Sequence, residues 1–105
     1  MEFDTYYLCF LKRGPVWTGE PSPELKERQA AHVAYLGELR QSGKTLVSGP
    51  TPESGDLRGI SIYKTTTVEE ARALAEDDPH VQAGHLVIEL HPWYVLKGAL
   101  EDAKD

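Results

Sequence analysis

His32 and Asp78 stand where apolar residues belong. Each falls on the apolar stripe of an amphipathic helix read from the sequence: His32 among Leu25, Leu36 and Leu39, and Asp78 behind Val68, Ala71, Leu74 and Ala75. An imidazole and a carboxylate pointed into one interior are the parts of a proton-transfer site. The histidine takes or delivers the proton, and the carboxylate orients the ring and stabilises imidazolium. Plainer roles stand beside this one. His32 can be a core histidine whose ring nitrogens are satisfied by backbone or by Tyr35. Asp78 can bond N–H groups of the turn at Pro79. Glu76, Asp77 and Asp78 also crowd what reads as the negative end of a helix dipole, at a cost of roughly 0.3–1 kcal/mol per charge. Two of them can be solvated; the one on the apolar side needs a donor.

Other residues carry weaker signals. His85, Glu89 and His91 fall on one face of the last strand, a spacing that can present metal ligands or simply polar residues of a half-solvated strand. We assign no metal and no cofactor. Cys9 reads as an inert strand cysteine, since a nucleophile needs a base beside it. Trp17 and Trp93 are packing anchors or the aromatic walls of a pocket. Gly14-Pro15 and Gly49-Pro50 are turn chemistry, because no glycine-rich run opens a helix.

These residues must be held by a small fold. The chain has 105 residues, 40% hydrophobic and 27% charged, which bounds it to one compact domain, taken as residues 1–93 with a polar tail over 94–105. The net charge of −6 and the lack of a basic stripe argue against nucleic acid as a partner. No apolar run approaches the roughly 20 residues that span a bilayer. The start Met1-Glu2-Phe3-Asp4 lacks a basic leader region, and the single cysteine fits a reducing compartment, so a cytoplasmic location is expected.

The coarse reading is a strand over 5–11, a long loop over 12–22 that reads as a lid or binding loop, and a helix from Pro23 to Ser42. Ser22 caps that helix, Pro23 occupies its first position, and Gly43 stops it. Short strands follow at 45–48 and 57–65, the latter with Ile60 and Ile62 on one face and Gly59, Ser61 and Tyr63 on the other. Thr67 and Glu70 form a capping box for a helix that runs to Asp78, where Pro79 ends it. The last strand covers 85–91. The order β-α-β-β-α-β predicts an α+β, ferredoxin-like domain with both helices on one face of an antiparallel sheet. The other face is partly apolar and needs a cover, for which a second copy of the chain is expected.

Several segments together resemble the YciI-like (YCII-related) family. They are Ala31-His32-Val33-Ala34-Tyr35-Leu36, Gly43 to Pro50, Glu69 to Pro79, Val81-Gln82-Ala83-Gly84 and Glu89-Leu90-His91-Pro92-Trp93. The resemblance spans nearly the whole chain. It implies a dimeric α+β barrel, the assembly also used by muconolactone isomerase-like proteins. It implies a His–Asp pair, carried over as His32 and Asp78, in a pocket we place among Trp17, Ser48, Gly49, Pro50, His80, His91 and Trp93. One branch of the family performs a lyase-type dehydrochlorination on a hydroxylated aromatic ring. This chain departs at His80, where many members have an aromatic or small residue, and its 12–22 loop is that of one subgroup. Two functions follow: a cofactor-free, homodimeric enzyme doing lyase- or isomerase-type acid–base chemistry on a small, possibly cyclic molecule, and a non-catalytic binding or accessory module braced by the same pair.

Overall fold

A computed structural model describes residues 1–100. The chain runs β1 (Phe3–Arg13), α1 (Pro23–Gln41), β2 (Thr45–Pro50), β3 (Leu57–Tyr63), α2 (Val68–Glu76), α3 (Pro79–Gln82) and β4 (Leu86–Leu96). The strands form one antiparallel sheet in the order β2-β3-β1-β4. This is the ferredoxin-like α+β arrangement, reached because each helix returns the chain to a strand two places away.

Alternation along the strands sorts the sheet into two faces. Cys9 lies opposite Ser61 and Leu90, and Leu11 opposite Gly59 and Ile88. This face packs on the helices: Cys9, Leu11, Tyr63 and Leu86 form one buried cluster with Leu39 of α1 and Ala71 and Ala75 of α2. The small alanines let α2 lie close to the sheet, so that large side chains such as Tyr63 come from the strand. The other face carries Leu8 opposite Ile62 and Phe10 opposite Ile60, all half-buried.

The caps form as read. Ser22 Oγ accepts from Leu25 N–H at 3.0 Å, and Thr67 Oγ1 from Glu70 N–H at 3.1 Å. Gly43, at φ 79°, turns the chain out of α1.

Several boundaries differ from expectation. β1 starts earlier and ends later, because its whole length pairs with β4, from Phe3 opposite Leu96 to Arg13 opposite Leu86. β4 runs on through Pro92 to Leu96, past the point where the tail was expected; it is an edge strand, and an edge tolerates proline. Residues 101–105 of that expected tail lie outside the described residues. α2 stops at Glu76, and a separate single turn, α3, begins after Asp78. The apolar stripe of α1 buries only Leu39 fully, while Leu25, His32 and Leu36 are half-buried beside a half-buried Arg28. A stripe this mixed borders a cavity, not a sealed core. Among the described residues no helix is long and apolar enough to cross a membrane.

Candidate functional site

Pro79 sets the position of Asp78. A residue before proline is pushed out of helical geometry, and Asp78 sits at φ −59°, ψ 132° between α2 and α3. There it caps α3: its Oδ1 accepts from the backbone N–H of His80 at 2.8 Å. The carboxylate therefore meets the N–H end of a turn and not the carbonyl end of a long helix, which removes the crowding read from Glu76-Asp77-Asp78. The same carboxylate faces α1. His32 Nδ1 lies 2.7 Å from Oδ2 and 2.9 Å from Oδ1. Capping and pairing, which looked like alternatives in the sequence, are both made by the side chain of one residue that is 2% exposed.

This contact fixes the imidazole. Only a ring nitrogen that carries a proton can donate to a carboxylate, so Nδ1 holds the hydrogen and Nε2 the lone pair. Nε2 has no protein partner among the described residues and is not sealed, and His32 lines a cavity beside α1. Tyr35 does not serve His32; its hydroxyl donates to Leu74 O at 2.6 Å and ties α1 to α2.

Two more histidines stack outward from the pair. The His80 ring lies 4.7 Å from that of His32, and the His85 ring 4.5 Å from that of His80. Trp17 stacks on His85 at 5.9 Å and 21°. Arg13 covers Trp17, with Cζ 4.3 Å from the ring centre, and Arg58 approaches it at 5.5 Å. His80 is held on both sides. Arg28 Nε donates to its Nδ1 at 3.2 Å, so its own proton must sit on Nε2, which lies 2.7 Å from Gln29 Oε1. Burial, then the neighbouring His32 and His85, push the His80 pKa down to about 4. It is a neutral spacer at neutral pH.

The Trp17 loop is fastened, not free. Gly14 N–H donates to His85 O at 2.8 Å, and Val16 N–H to Gly84 O at 3.1 Å. A Cβ on Gly14 would stand 2.3 Å from Gly84 O, so this close approach requires glycine. The 12–22 segment, expected as a loop throughout, gives its first two residues to β1 and pins Trp17 against His85.

The cavity holds about 590 Å³ between α1, the β2–β3 pair and the Trp17 loop. That is room for a small ring compound. Trp17, His32, Ser48, Gly49, Pro50 and His80 all border it. Asp78 stands behind His32. His91 and Trp93 do not border it: alternation along β4 puts them on the opposite sheet face, with Leu90 on the cavity side. There His91 Nε2 lies 2.5 Å from Glu89 Oε2, and Lys12 Nζ lies 2.6 Å from Glu89 Oε1. His85 is also displaced from its expected place. It precedes β4, is 7% exposed and belongs to the histidine stack, so it shares no face with Glu89 and His91. Among the described residues, no group of three or more His, Cys, Asp or Glu side chains is arranged to hold a metal ion. Cys9 is buried, and burial foremost pushes its pKa up to about 12, which leaves it a thiol.

Arg28 and Gln29 were not anticipated, nor was the place that His85 takes beside His80. For the first two a signal existed, since they precede His32 by one helical turn and so share its face. For His85 there was none, because its place depends on a turn at Gly84, φ 77°, that reverses the chain just before the strand.

Over residues 5–94 the chain matches the YCII-related domain. Among solved structures it is similar to the 5-chloro-2-hydroxyhydroquinone dehydrochlorinase of Burkholderia phenoliruptrix AC1100, in complex with 2,5-dihydroxybenzoquinone. The two are 28% identical, the match covers 84% of this chain and 92% of the other, and the TM-score is 0.62. No curated protein matches the chain.

Proposed function

The chain belongs to the YCII-related domain family, and on that premise we propose that it is a small acid–base enzyme, of lyase or isomerase type, acting on a small ring-bearing molecule. The observation that carries this reading is the His32–Asp78 contact at 2.7 Å with the far nitrogen of His32 left unpartnered at a cavity of about 590 Å³. In an elimination, His32 Nε2 takes a proton from a C–H or O–H of the bound molecule. The electron pair left behind forms the new double bond, and a leaving group departs with its own pair. Asp78 accepts from Nδ1–H throughout and stabilises the imidazolium that forms. Its second anchor, the His80 N–H, keeps it from turning away. An isomerisation uses the same proton, returned at another atom. The similar dehydrochlorinase, named for a chlorinated hydroxyhydroquinone and bound to a dihydroxybenzoquinone, supports a ring compound as the occupant.

The pair also braces α1 against α3, which favours the accessory-module reading to the extent that bracing is all it does. Turnover separates the two. Chlorinated hydroxyhydroquinones and related phenols are the compounds to screen. We expect His32→Ala to keep its fold and lose roughly 10²–10⁴-fold in rate. A wild type that turns over none of them, with a His32→Ala variant that melts far lower, would decide for the module.

We further propose that the chain works as a homodimer through the sheet face opposite the helices. Leu8, Phe10, Ile60 and Ile62 are only half-buried there, and Trp93 and Val87 are exposed beside them. Light scattering at micromolar concentration should give twice the chain mass of 11.7 kDa; a mass of one chain refutes the dimer.

A further inference from the structure

The acid–base scheme does not use His85, yet this side chain is built into the cavity wall. Its two ring nitrogens are in different surroundings. Nδ1 is buried and has no hydrogen-bond partner. Nε2 also lacks a protein partner among the described residues, but it is not sealed, and His85 borders both this cavity and a second one beside residues 21–26. A neutral imidazole has one N–H and one lone pair to distribute. A proton on Nδ1 would be a sealed donor with no acceptor, the arrangement folded proteins avoid most strongly. On Nε2 the same proton meets whatever fills the cavity. Protonating both nitrogens would again seal a donor, with the Arg28 guanidinium and the His32 ring nearby. Burial first, and Arg28 second, hold the His85 pKa below its ordinary value. His85 is therefore a neutral donor whose Nε2–H is open to a ligand.

The wall around it is positive. Arg40 and Arg58 border the cavity, and no Asp or Glu does, although the chain as a whole carries a net charge of −6. Arg58 reaches the Trp17 ring on which His85 stacks. His32 lies on the far side of His80, which has both nitrogens occupied and offers nothing to a ligand. The cavity thus has two working ends, a base at His32 and a donor at His85, with a neutral spacer between them.

Resting on the reading of this cavity as a site for small ring compounds, we infer that His85 is a specificity-determining residue: its Nε2–H, in a wall that Arg40 and Arg58 make positive, anchors an anionic oxygen of the bound ring at the end away from His32. A hydrogen bond to a charged partner is one of the stronger contacts a side chain makes, so its loss should weaken binding roughly 10- to 100-fold.

The test uses the full chain and two probes of one ring size. 2,5-Dihydroxybenzoquinone presents ionised oxygens, and 2,5-dimethoxybenzoquinone presents none. Calorimetry should show the first binding at least about tenfold more tightly than the second to the wild type. His85→Phe keeps a ring against Trp17 but has no donor, and should erase most of that difference. His85→Gln restores an N–H and should recover part of it. Imidazole ¹⁵N spectra of the unliganded wild type, which need no variant, should place the His85 proton on Nε2 and move that signal when the dihydroxy probe is added. A proton found on Nδ1, or equal discrimination by wild type and His85→Phe, overturns the inference and leaves the acid–base reading standing. A wild type whose His32, His85 and Trp17 signals ignore the dihydroxy probe overturns both.

Discussion

Among the described residues the protein has two histidine–carboxylate pairs of nearly equal length, on opposite faces of one sheet. His32 and Asp78 meet at 2.7 Å with side-chain exposures of 12% and 3%; His91 and Glu89 meet at 2.5 Å with exposures of 50% and 41%. Distance does not distinguish them. What differs is how each carboxylate is held. Asp78 is fixed by a proline that shapes its backbone and by the His80 N–H. Glu89 is held by another flexible side chain, Lys12, in contact with water. The first pair comes from two separate elements and fixes their distance. The second joins residues two apart on one strand and fixes nothing beyond that strand. An ion pair becomes a candidate site when the fold fixes it and leaves one nitrogen facing a cavity.

Removing each carboxylate gives the largest expected contrast. Asp78→Ala leaves the His80 N–H without an acceptor and strips His32 of its partner, which should destabilise the chain by roughly 3–5 kcal/mol. Asp78→Asn can still accept from the His80 N–H, so it should recover much of that stability while losing the charge that steadies imidazolium. Urea unfolding of the three chains measures this. An Asp78→Ala chain as stable as the wild type would mean that the buried pair is no better fixed than the exposed one.

Next in size is the wiring behind the stack. Gly14→Ala places a methyl 2.3 Å from Gly84 O and must break the Gly14–His85 backbone bond or shift the strand end. Overpacking of this kind costs roughly 1–3 kcal/mol. Trp17 fluorescence should change with it, because the same bond holds the loop that carries Trp17 against His85. An unchanged spectrum would show that the cavity wall tolerates the displacement.

The acid limb of stability should report on the buried face. His80 has its pKa lowered to about 4, against about 6.5 for the unfolded ring. Between those values the unfolded chain binds the proton and the folded chain does not, so stability is full above about pH 6.5 and falls as the pH drops toward 4. His85 is shifted the same way and adds to the slope. The charges that face His80 are Arg28, His32 and His85, which oppose its protonation, and Asp78, which favours it. Melting temperatures from pH 7 to pH 5 stay above the range where carboxylates titrate. His80→Gln should flatten that slope. A slope that persists unchanged in this variant would place the pH sensitivity outside His80.

The sequence made some of this legible and hid the rest for identifiable reasons. Polar residues on apolar stripes pointed to His32 and Asp78, and capping chemistry located the helix starts at Ser22 and Thr67. The residues between and around them resisted reading where long-range geometry decides. Trp93 and His91 were assigned to the pocket from their place in a shared motif, but β4 is a strand, and a strand sends alternate side chains to opposite faces. His85 was counted with the strand that follows it, although Gly84 turns the chain first and aims it into the histidine stack. Arg28 drew no reading, because only α3, a turn invisible to periodicity, brings His80 to it.

The smallest effect is expected on the open face, and it is the one that sharpens the comparison most. Exposed ion pairs contribute little because water screens them and long side chains lose freedom in making them. Glu89→Gln and His91→Ala should therefore leave the melting temperature unchanged within error when the chain is dilute enough to be a monomer. If the sheet face is covered by a second copy, as proposed, the same groups become desolvated in the dimer. The carboxylate then balances Lys12 and His91 at an interface, and Glu89→Gln should weaken dimerisation without altering the monomer. Sedimentation across a dilution series, run beside melts at each concentration, reads both quantities. An effect that appears only with dimerisation shows that the open pair gains importance by being buried, as Asp78 is within one chain. A loss of monomer stability at every concentration would mean that the exposed pair is held by the fold after all, and that burial does not separate the two.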